Sequence, residues 1–187
     1  MGAAMQVFAL EGYAHAGTDQ MVKIARISKG LLFHYFISKK GLYGFLYEYA
    51  VRFMLLEISR TVDANETDFH AVQCRILKGV RNAMRQYPYI SFFLQTADKE
   101  RDAEAVEVIA ERRKAYRASL KEILQRIDMA QFGSEEMFLE AVRIVDNESV
   151  SLKDDLDFEN PKWQDEYFAR MNGCLDFIAH FSLRPAT

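Results

Sequence analysis

The chain has 187 residues, half of them apolar, and its 24 Lys and Arg against 27 Asp and Glu leave a net charge of −3 at pH 7. This length can bury a hydrophobic core, and no apolar run approaches the roughly 18 residues that a membrane-spanning helix needs. Two distant cysteines without a CxxC motif exclude a disulfide framework. The N-terminus also lacks the order of a signal peptide, so we expect a cytoplasmic protein.

Two short helices are predicted near the N-terminus. Thr18 can cap an apolar-periodic segment that ends near Ile24, and residues 25–27 separate this segment from Ser28. Ser28 and Ser38 are good N-caps in turn, because a serine hydroxyl accepts hydrogen bonds from the backbone N–H groups of the first turn. Two short helices joined by a three-residue turn predict a helix-turn-helix, whose second helix enters the major groove of DNA.

The predicted second helix has an apolar side and an outward-facing side. Leu32 and Phe36 lie one turn apart and should be buried. The remaining side chains are available to a partner, and they include a lysine, a histidine and a tyrosine.

In this segment the sequence resembles the TetR family of bacterial transcriptional regulators. The family pattern is a helix with a spaced Phe and a terminal Gly-Tyr, then a second helix, then Ser-Lys-Gly-x-Leu-Tyr-x-Tyr-Phe-x-Ser-Lys. Phe8, Gly12-Tyr13 and residues 28–39 match this pattern without a gap. The resemblance implies an all-α, TetR-like fold, with a three-helix helix-turn-helix DNA-binding domain at residues 1–44 and a helical ligand-binding and dimerisation domain at residues 45–187.

The resemblance and the outward-facing side chains together give the candidate DNA contacts. Lys39 would hold a phosphate at the positive N-terminus of the next helix. The candidates are Thr18, Lys29, Gly30, Leu31, His34, Tyr35 and Lys39.

Three positions depart from the family pattern. The Thr-Ser pair that usually opens the second helix is Ala16-Gly17, so Thr18 should take over the cap. The turn glycine is Arg26, which needs either an ordinary backbone conformation or a positive φ. Leu31 and Phe33 stand where the reading helix commonly has Thr and Tyr. We therefore expect fewer contacts to the DNA backbone than is usual in the family.

Charge is unevenly distributed along the sequence. Residues 1–45 carry five Lys or Arg against two Asp or Glu, whereas the other 142 residues carry 19 against 25. A basic N-terminal segment on an acidic body favours a protein that binds DNA at one end, although a small segment can carry this charge by chance.

The rest of the sequence predicts helices, with no strand pattern or internal repeat. Apolar residues recur at helical spacing from Leu42 to Leu56, from Phe69 to Tyr87 and from Asp102 to Asp128. Pro88 should end the second of these helices. Asn160-Pro161 predicts the start of the last helix.

The last helix favours a dimer. Its apolar residues recur at spacings of three and four, which places them in one stripe along the helix, and further apolar residues lie outside that stripe. Such a helix can cover both its own core and a second subunit, although a single wide core helix is the alternative. The predicted interface residues are Val142, Val145, Tyr167, Met171, Cys174 and Ile178.

Aromatic and methionine side chains are dense in the larger domain. They can line a cavity for an apolar ligand, but they also simply fill cores, and the residues alone favour the core. The family resemblance favours an effector site here. The predicted pocket residues are Met84, Tyr87, Phe92, Phe93, Tyr116, Phe138 and Asn147.

Metal binding and catalysis find little support in the sequence. His70 and Cys74 lie four residues apart, a spacing that can grip a soft metal, but no third ligand pattern completes a site. No Ser-His-Asp pattern, glycine-rich phosphate loop or suggestive pair of carboxylates is present. We expect neither an enzyme nor a metal or other cofactor.

The resemblance therefore implies a dimeric, ligand-responsive transcriptional regulator that acts as a repressor. Its expected partners are double-stranded operator DNA, a small apolar effector and a second copy of the chain, with no membrane contact. The alternative is a helical protein-interaction adaptor that has lost operator binding, which the missing hydroxyls and the absence of a basic arm before the first helix make conceivable. Salt-dependent binding to duplex DNA distinguishes the two.

Overall fold

The computed structural model describes residues 1–182, with side chains to residue 180, and this part of the chain is helical without strands. The all-α prediction is confirmed. None of the described helices is long and apolar enough to cross a membrane. The elements are α1 (Gly2–His15), α2 (Thr18–Ala25), α3 (Lys29–Phe36), α4 (Lys39–Ser59), α5 (Phe69–Gln86), α6 (Ile90–Asp98), α7 (Ala103–Leu124), a 3₁₀ turn (Met129–Gln131), α8 (Glu135–Asp155) and α9 (Trp163–Ser182).

The chain forms two compact units. Unit 1 comprises residues 1–57 and 82–120, and unit 2 comprises residues 58–81 and the chain from Lys121 onward. These bounds divide α4, α5 and α7, so each of those helices contributes residues to both units. The sequence predicts a DNA-binding domain that ends at residue 44, and this bound differs from those of the two compact units. Because it divides the chain by function, it stays a prediction.

Unit 1 contains α1 packed against α6, with aromatic rings between them and α4. The ring of Phe8 lies 4.9 Å from that of Tyr43 and 6.1 Å from that of Phe93. The Tyr43 and Phe93 rings are 5.6 Å apart and nearly perpendicular. All three side chains are buried. Because edge-to-face aromatic pairs contribute about 0.5–1.5 kcal/mol beyond their area burial, this cluster stabilises the N-terminal helix on its support.

The helix α1 is interrupted at Gly12, whose φ of 72° and ψ of 174° are not helical. In a continuous helix, the N–H of Tyr13 would donate to the carbonyl of Ala9. Here the N–H of Tyr13 donates to Oε2 of Glu100 at 2.9 Å, and the hydroxyl of Thr96 donates to the carbonyl of Ala9 at 2.9 Å. Groups at the end of α6 and just beyond it therefore bond both backbone groups at the interruption.

Unit 2 contains the packed pair α8 and α9. The hydroxyls of Ser149 and Tyr167 lie 3.0 Å apart across this pair, and the guanidinium of Arg81 lies 4.3 Å from the centroid of the Phe168 ring. A second aromatic cluster in this unit has ring centroids 5.3 to 6.3 Å apart. Its members are Phe69, Phe132 and Phe138.

The predicted helix bounds are close to the observed ones. The end before Pro88 is confirmed, because α5 stops at Gln86. The start predicted at Pro161 is two residues early, because Asn160 and Pro161 lie in the turn before α9. In that turn Oδ1 of Asn160 accepts from the backbone N–H of Lys162 at 2.9 Å.

We expect Gly12→Ala to lower the free energy of unfolding by about 1–3 kcal/mol, because this φ and ψ combination is almost confined to glycine. The cost is conformational, since an added Cβ would meet Glu100 only at an ordinary 3.8 Å. Urea unfolding followed by circular dichroism measures the change. Gly2→Ala is the matched control, because an added Cβ on that helical residue meets nothing within 4 Å. If both variants are equally stable, the interruption of α1 does not require glycine.

Candidate nucleic-acid interface

The helix α3 is capped at its start as the sequence predicts. Oγ of Ser28 accepts a hydrogen bond from the N–H of Leu31 at 3.1 Å. Oγ of Ser38 accepts from the N–H of Gly41 at 3.0 Å, which caps the start of α4 in the same way. Both predicted caps are confirmed, and together they restrict α3 to eight residues.

The cap predicted for α2 is wrong. Gly17 is the N-cap residue, with extended φ and ψ of −86° and 124° and no side-chain cap bond. Thr18 is instead the first helical residue. Only the residue just before the first helical one can use its side-chain oxygen to accept from the N–H groups two and three residues further along. Thr18 already has helical φ and ψ, so it is past that position. Glycine is an acceptable N-cap because it adopts extended conformations freely.

The turn between α2 and α3 contains Arg26 in the left-handed conformation, with φ of 54° and ψ of 44°. The sequence left two conformations open for this position, and the structure has the one with positive φ. The N–H of Arg26 donates to the carbonyl of Lys23 at 3.3 Å, and the N–H of Ile27 donates to that of Val22 at 3.1 Å. This is a Schellman motif, which bonds the last carbonyls of a helix.

The helix α3 has one buried side and one exposed side. Leu32 is 6% exposed, and Phe36 is half-buried. Tyr35 is 71% exposed, and His34 is exposed beside it, with their rings 5.3 Å apart. Most of the predicted DNA contacts are therefore exposed. Those of α3 are Lys29, Gly30, Leu31, His34 and Tyr35.

The two predicted phosphate-binding lysines already have partners within unit 1. Nζ of Lys29 lies 2.9 Å from a carboxylate oxygen of Asp19, and both side chains are at least half exposed. Nζ of Lys39 lies 4.6 Å from the centroid of the Tyr13 ring and 3.4 Å from the carbonyl of Ala14. Exposed ion pairs contribute only about 0–1 kcal/mol, so a phosphate can replace Asp19 at little cost. Sequence reasoning missed Asp19, because its pairing with a lysine ten residues away becomes visible only in three dimensions.

Ile37, just after α3, is a second feature that the sequence did not indicate. Its φ is 61° and its ψ −47°, and the N–H of Ser38 donates to the carbonyl of Phe36 at 2.5 Å, which closes a γ-turn around it. The side chain of Ile37 is 87% exposed. A β-branched residue at positive φ is a conformational outlier, and such strain costs on the order of 1–3 kcal/mol.

The predicted pocket residues are distributed between the two units. Met84, Phe92 and Phe93 are fully buried in unit 1, and Tyr87 and Tyr116 are half-buried there. The hydroxyl of Tyr87 lies within hydrogen-bonding distance, 2.8 Å, of the hydroxyl of Tyr49 in the same unit. The other two predicted residues are in unit 2. They are Phe138, which belongs to the aromatic cluster there, and Asn147, which is exposed.

Most of the predicted interface residues are buried within the chain itself. Tyr167, Met171 and Ile178 are 1%, 3% and 0% exposed, so they have no free surface for a partner in this conformation. Val145 is also buried, at 9% exposure. The remaining two, Val142 and Cys174, are half-buried.

His70 and Cys74 lie together on α5, as their spacing predicts. Sγ of Cys74 is 3.7 Å from Nε2 of His70, and that nitrogen is 3.0 Å from a carboxylate oxygen of Asp176. Burial raises the pKa of the Cys74 thiol, which keeps it protonated. Between residues 1 and 182, no group of three or more His, Cys, Asp or Glu side chains is arranged to hold a metal ion.

The helix α2, the left-handed turn at Arg26 and the capped helix α3, which packs against α2, form a helix-turn-helix. Residues 1–44 match the family model described as bacterial regulatory proteins, tetR family. No curated protein matches the sequence.

Solved structures extend the likeness to the whole chain. A TetR family transcriptional regulator from Chloroflexus aurantiacus J-10-FL has a TM-score of 0.62 at 18% identity, over 97% of this chain and 90% of that chain. PfmR, a TetR family transcriptional regulator from Thermus thermophilus, has a TM-score of 0.56 at 16% identity, over 94% of this chain and 96% of that chain. Residues 1–44 thus match the TetR-family model, and the chain has the fold of the TetR-family regulators of known structure.

Arg26→Gly should raise the free energy of unfolding by about 1 kcal/mol, because glycine adopts positive φ without the Cβ clash of other residues. Thermal and urea unfolding measure this change. Lys23→Gly, inside α2, is the control and should lower the free energy of unfolding by about 1 kcal/mol. A destabilised Arg26→Gly variant would contradict the left-handed turn.

Proposed function

We propose that the chain is a dimeric, ligand-responsive transcriptional repressor of the cytoplasm. It binds double-stranded operator DNA through α2 and α3, and a small apolar effector releases it. The observation that carries the DNA-binding part is the exposure of Lys29, His34 and Tyr35 on α3, a helix that buried Leu32 anchors. A helix of this kind at a helix-turn-helix fits the major groove.

The exposed side chains suit different contacts with DNA. Lys29 and Lys39 carry the charges that bind phosphates and set the register of the protein on the duplex. His34 and Tyr35 reach base edges with polar groups, and Leu31, 45% exposed, offers an apolar contact to a thymine methyl group. Leu31 and Phe33 lack hydroxyls, so phosphate binding depends more on the lysines.

The contacts between α6 and α1 support a route from effector to DNA inside unit 1. Phe92 and Phe93 of α6 are predicted pocket residues, and Thr96 on the same helix bonds the interrupted backbone of α1. An effector that prefers one position of α6 would therefore move α1. To change the DNA-binding fraction from about 99% to 1%, its affinity for the two forms must differ by about 10⁴-fold, or about 5.5 kcal/mol.

The double substitution Lys29→Ala and Lys39→Ala should weaken binding to all duplex sequences and flatten its salt dependence. The slope of the logarithm of affinity against the logarithm of salt concentration should become shallower by about 0.9 for each phosphate contact that is lost. Fluorescence anisotropy of a labelled duplex over a salt series measures the slope. An unchanged slope would mean that these lysines do not bind phosphate.

Asp19→Asn is the matched control for this experiment. It breaks the ion pair with Lys29 and retains both lysines. Because it removes a carboxylate that competes with phosphate, we expect tighter binding and no flattening of the slope. Binding that is weak and insensitive to salt in every variant would favour the protein-interaction adaptor.

We propose that the dimer forms through the exposed side of α9. Ala169, Gly173 and Phe177 are four residues apart, share a side of the helix and are exposed, with Phe177 at 56%. An added Cβ at Gly173 would meet nothing within 4 Å. A second copy can approach closely at the small residues, and a two-fold axis would place the same surface of both subunits in contact.

Gly173→Glu should convert the dimer to monomers, because it places a charge in the proposed interface without disturbing the core of the subunit. Sedimentation velocity measures the oligomeric state, and operator affinity should fall with it. Gly173→Ala, which adds only a methyl group, should remain dimeric. A Gly173→Glu variant that stays dimeric would place the interface elsewhere.

A further inference from the structure

Two buried tyrosines on α4 are unused by the proposed DNA-binding surface. Tyr43 and Tyr47 are four residues apart, on one side of the helix, and their side chains are 1% and 0% exposed. Both rings contact the Phe93 ring of α6, with centroid distances of 5.6 and 6.4 Å. The two phenols therefore lie together in the interior of unit 1.

Neither phenol oxygen has a hydrogen-bond partner within residues 1–182, although both oxygens are buried. Buried hydroxyls are nearly always hydrogen-bonded, because removing them from water without a partner is costly. Other buried tyrosines follow this rule, as the hydroxyls of Tyr167 and Ser149 show at 3.0 Å. The two unbonded phenols on one helix side are thus an exception that needs a physical reason.

Both phenols stay protonated at neutral pH and can act as donors. Burial raises the pKa of Tyr47 to about 12, and the nearby carboxylate of Asp98 adds to the effect. Burial, followed by Glu100, also raises the pKa of Tyr43. The guanidinium of Arg113 on α7 acts in the opposite direction on the pKa of both phenols. Arg113 lies on the part of α7 that contacts α4 beside these tyrosines, because the preceding residue, Arg112, pairs with Glu48, which directly follows Tyr47.

Arg113 is a half-buried cation, four residues along α7 from the fully buried Ile109. Its neighbours on this helix have acidic partners: Arg112 pairs with Glu48 and Arg117 with Asp98. Arg113 forms no ion pair within the part of the chain that the structure describes.

The carboxylates near the phenols are occupied elsewhere. Oδ1 of Asp98 accepts from Nε of Arg117 at 2.7 Å. Glu100 accepts from the backbone N–H groups of Tyr13, Arg101 and Asp102 at 2.9 to 3.0 Å. Neither carboxylate therefore supplies the acceptor that the two phenols lack.

We propose that Tyr43, Tyr47 and Arg113 form a binding site in unit 1 for the carboxylate of an apolar organic acid. Two phenol donors and a guanidinium offer protons and positive charge but no acceptor, which is the complement of a carboxylate. The surrounding rings, Phe8 and Phe93, suit the apolar body of such an acid. The role of this site in regulation rests on the proposed function, for which it names the chemical class of the effector. The binding of a carboxylate at this site does not depend on that function.

The test uses the full-length protein and two pairs of probes, octanoate with octanamide and benzoate with benzamide. Thermal shift and isothermal titration calorimetry measure binding. We expect at least one carboxylate to stabilise the protein and its neutral amide to bind more weakly. Tyr43→Phe and Tyr47→Phe should each weaken carboxylate binding roughly tenfold, and Arg113→Met should weaken it at least as much.

Two controls separate a binding role from a structural one. Arg112→Met removes the same charge from an exposed neighbour on α7 and should bind the carboxylate like the unmodified protein. Without a probe, both Tyr→Phe variants should be at least as stable as the unmodified protein, because each loses a buried hydroxyl that has no bond to the protein.

The proposal is overturned if neither carboxylate binds, if the amides bind as well as the acids, or if the Tyr→Phe variants bind with unchanged affinity. Operator release is measured separately with the carboxylate that binds. Binding that depends on Tyr43, Tyr47 and Arg113 but leaves the protein–DNA complex intact would support the site and contradict its role as the effector site. Failure of the protein to bind DNA at all would contradict the proposed function and leave the binding result unaffected.

Discussion

The interruption of α1 at Gly12 is the constraint on which the N-terminal unit depends. It separates the N–H of Tyr13 from the carbonyl of Ala9, and these two groups are bonded by Glu100, just beyond α6, and by Thr96 of α6. Because buried backbone groups must be bonded, α1 cannot shift along α6 without losing these bonds. The aromatic cluster holds the same two helices together through apolar contact. The position of the helix-turn-helix in this unit is thus fixed by both specific bonds and packing.

The exposed surface of α3 and of the residue after it, which we propose to read DNA, is rich in apolar groups. Leu31, Tyr35 and Ile37 are 45%, 71% and 87% exposed, while Lys29 shares its charge with Asp19. Apolar side chains read thymine methyl groups and the shape of the groove, and cations bind phosphates of any sequence. The strained backbone at Ile37 adds an exposed apolar group at the end of the reading helix.

Local signals in the sequence predicted the fold well. The caps at Ser28 and Ser38 and the helix end before Pro88 depend on residues within one turn, so sequence spacing suffices. The cap predicted at Thr18 was wrong because Gly17 and Thr18 are both acceptable N-cap residues for α2, and Gly17 takes that position. The hydrogen bond between Tyr13 and Glu100 joins residues 87 positions apart, and no local sequence pattern predicts a contact over that distance. Packing also decided which apolar residues of α9 face inward, such as Met171, where the periodicity alone allowed either role.

We propose above that a symmetric pair of these chains reads operator DNA through α3. The most direct measurement is the selection of bound fragments from the source genome, followed by footprinting of the selected duplex. We expect two protected major-groove half-sites of related sequence, with centres about one helical turn, roughly 34–36 Å, or a multiple of it apart. Selection that enriches no sequence, or protection of a single unpaired site, would contradict it.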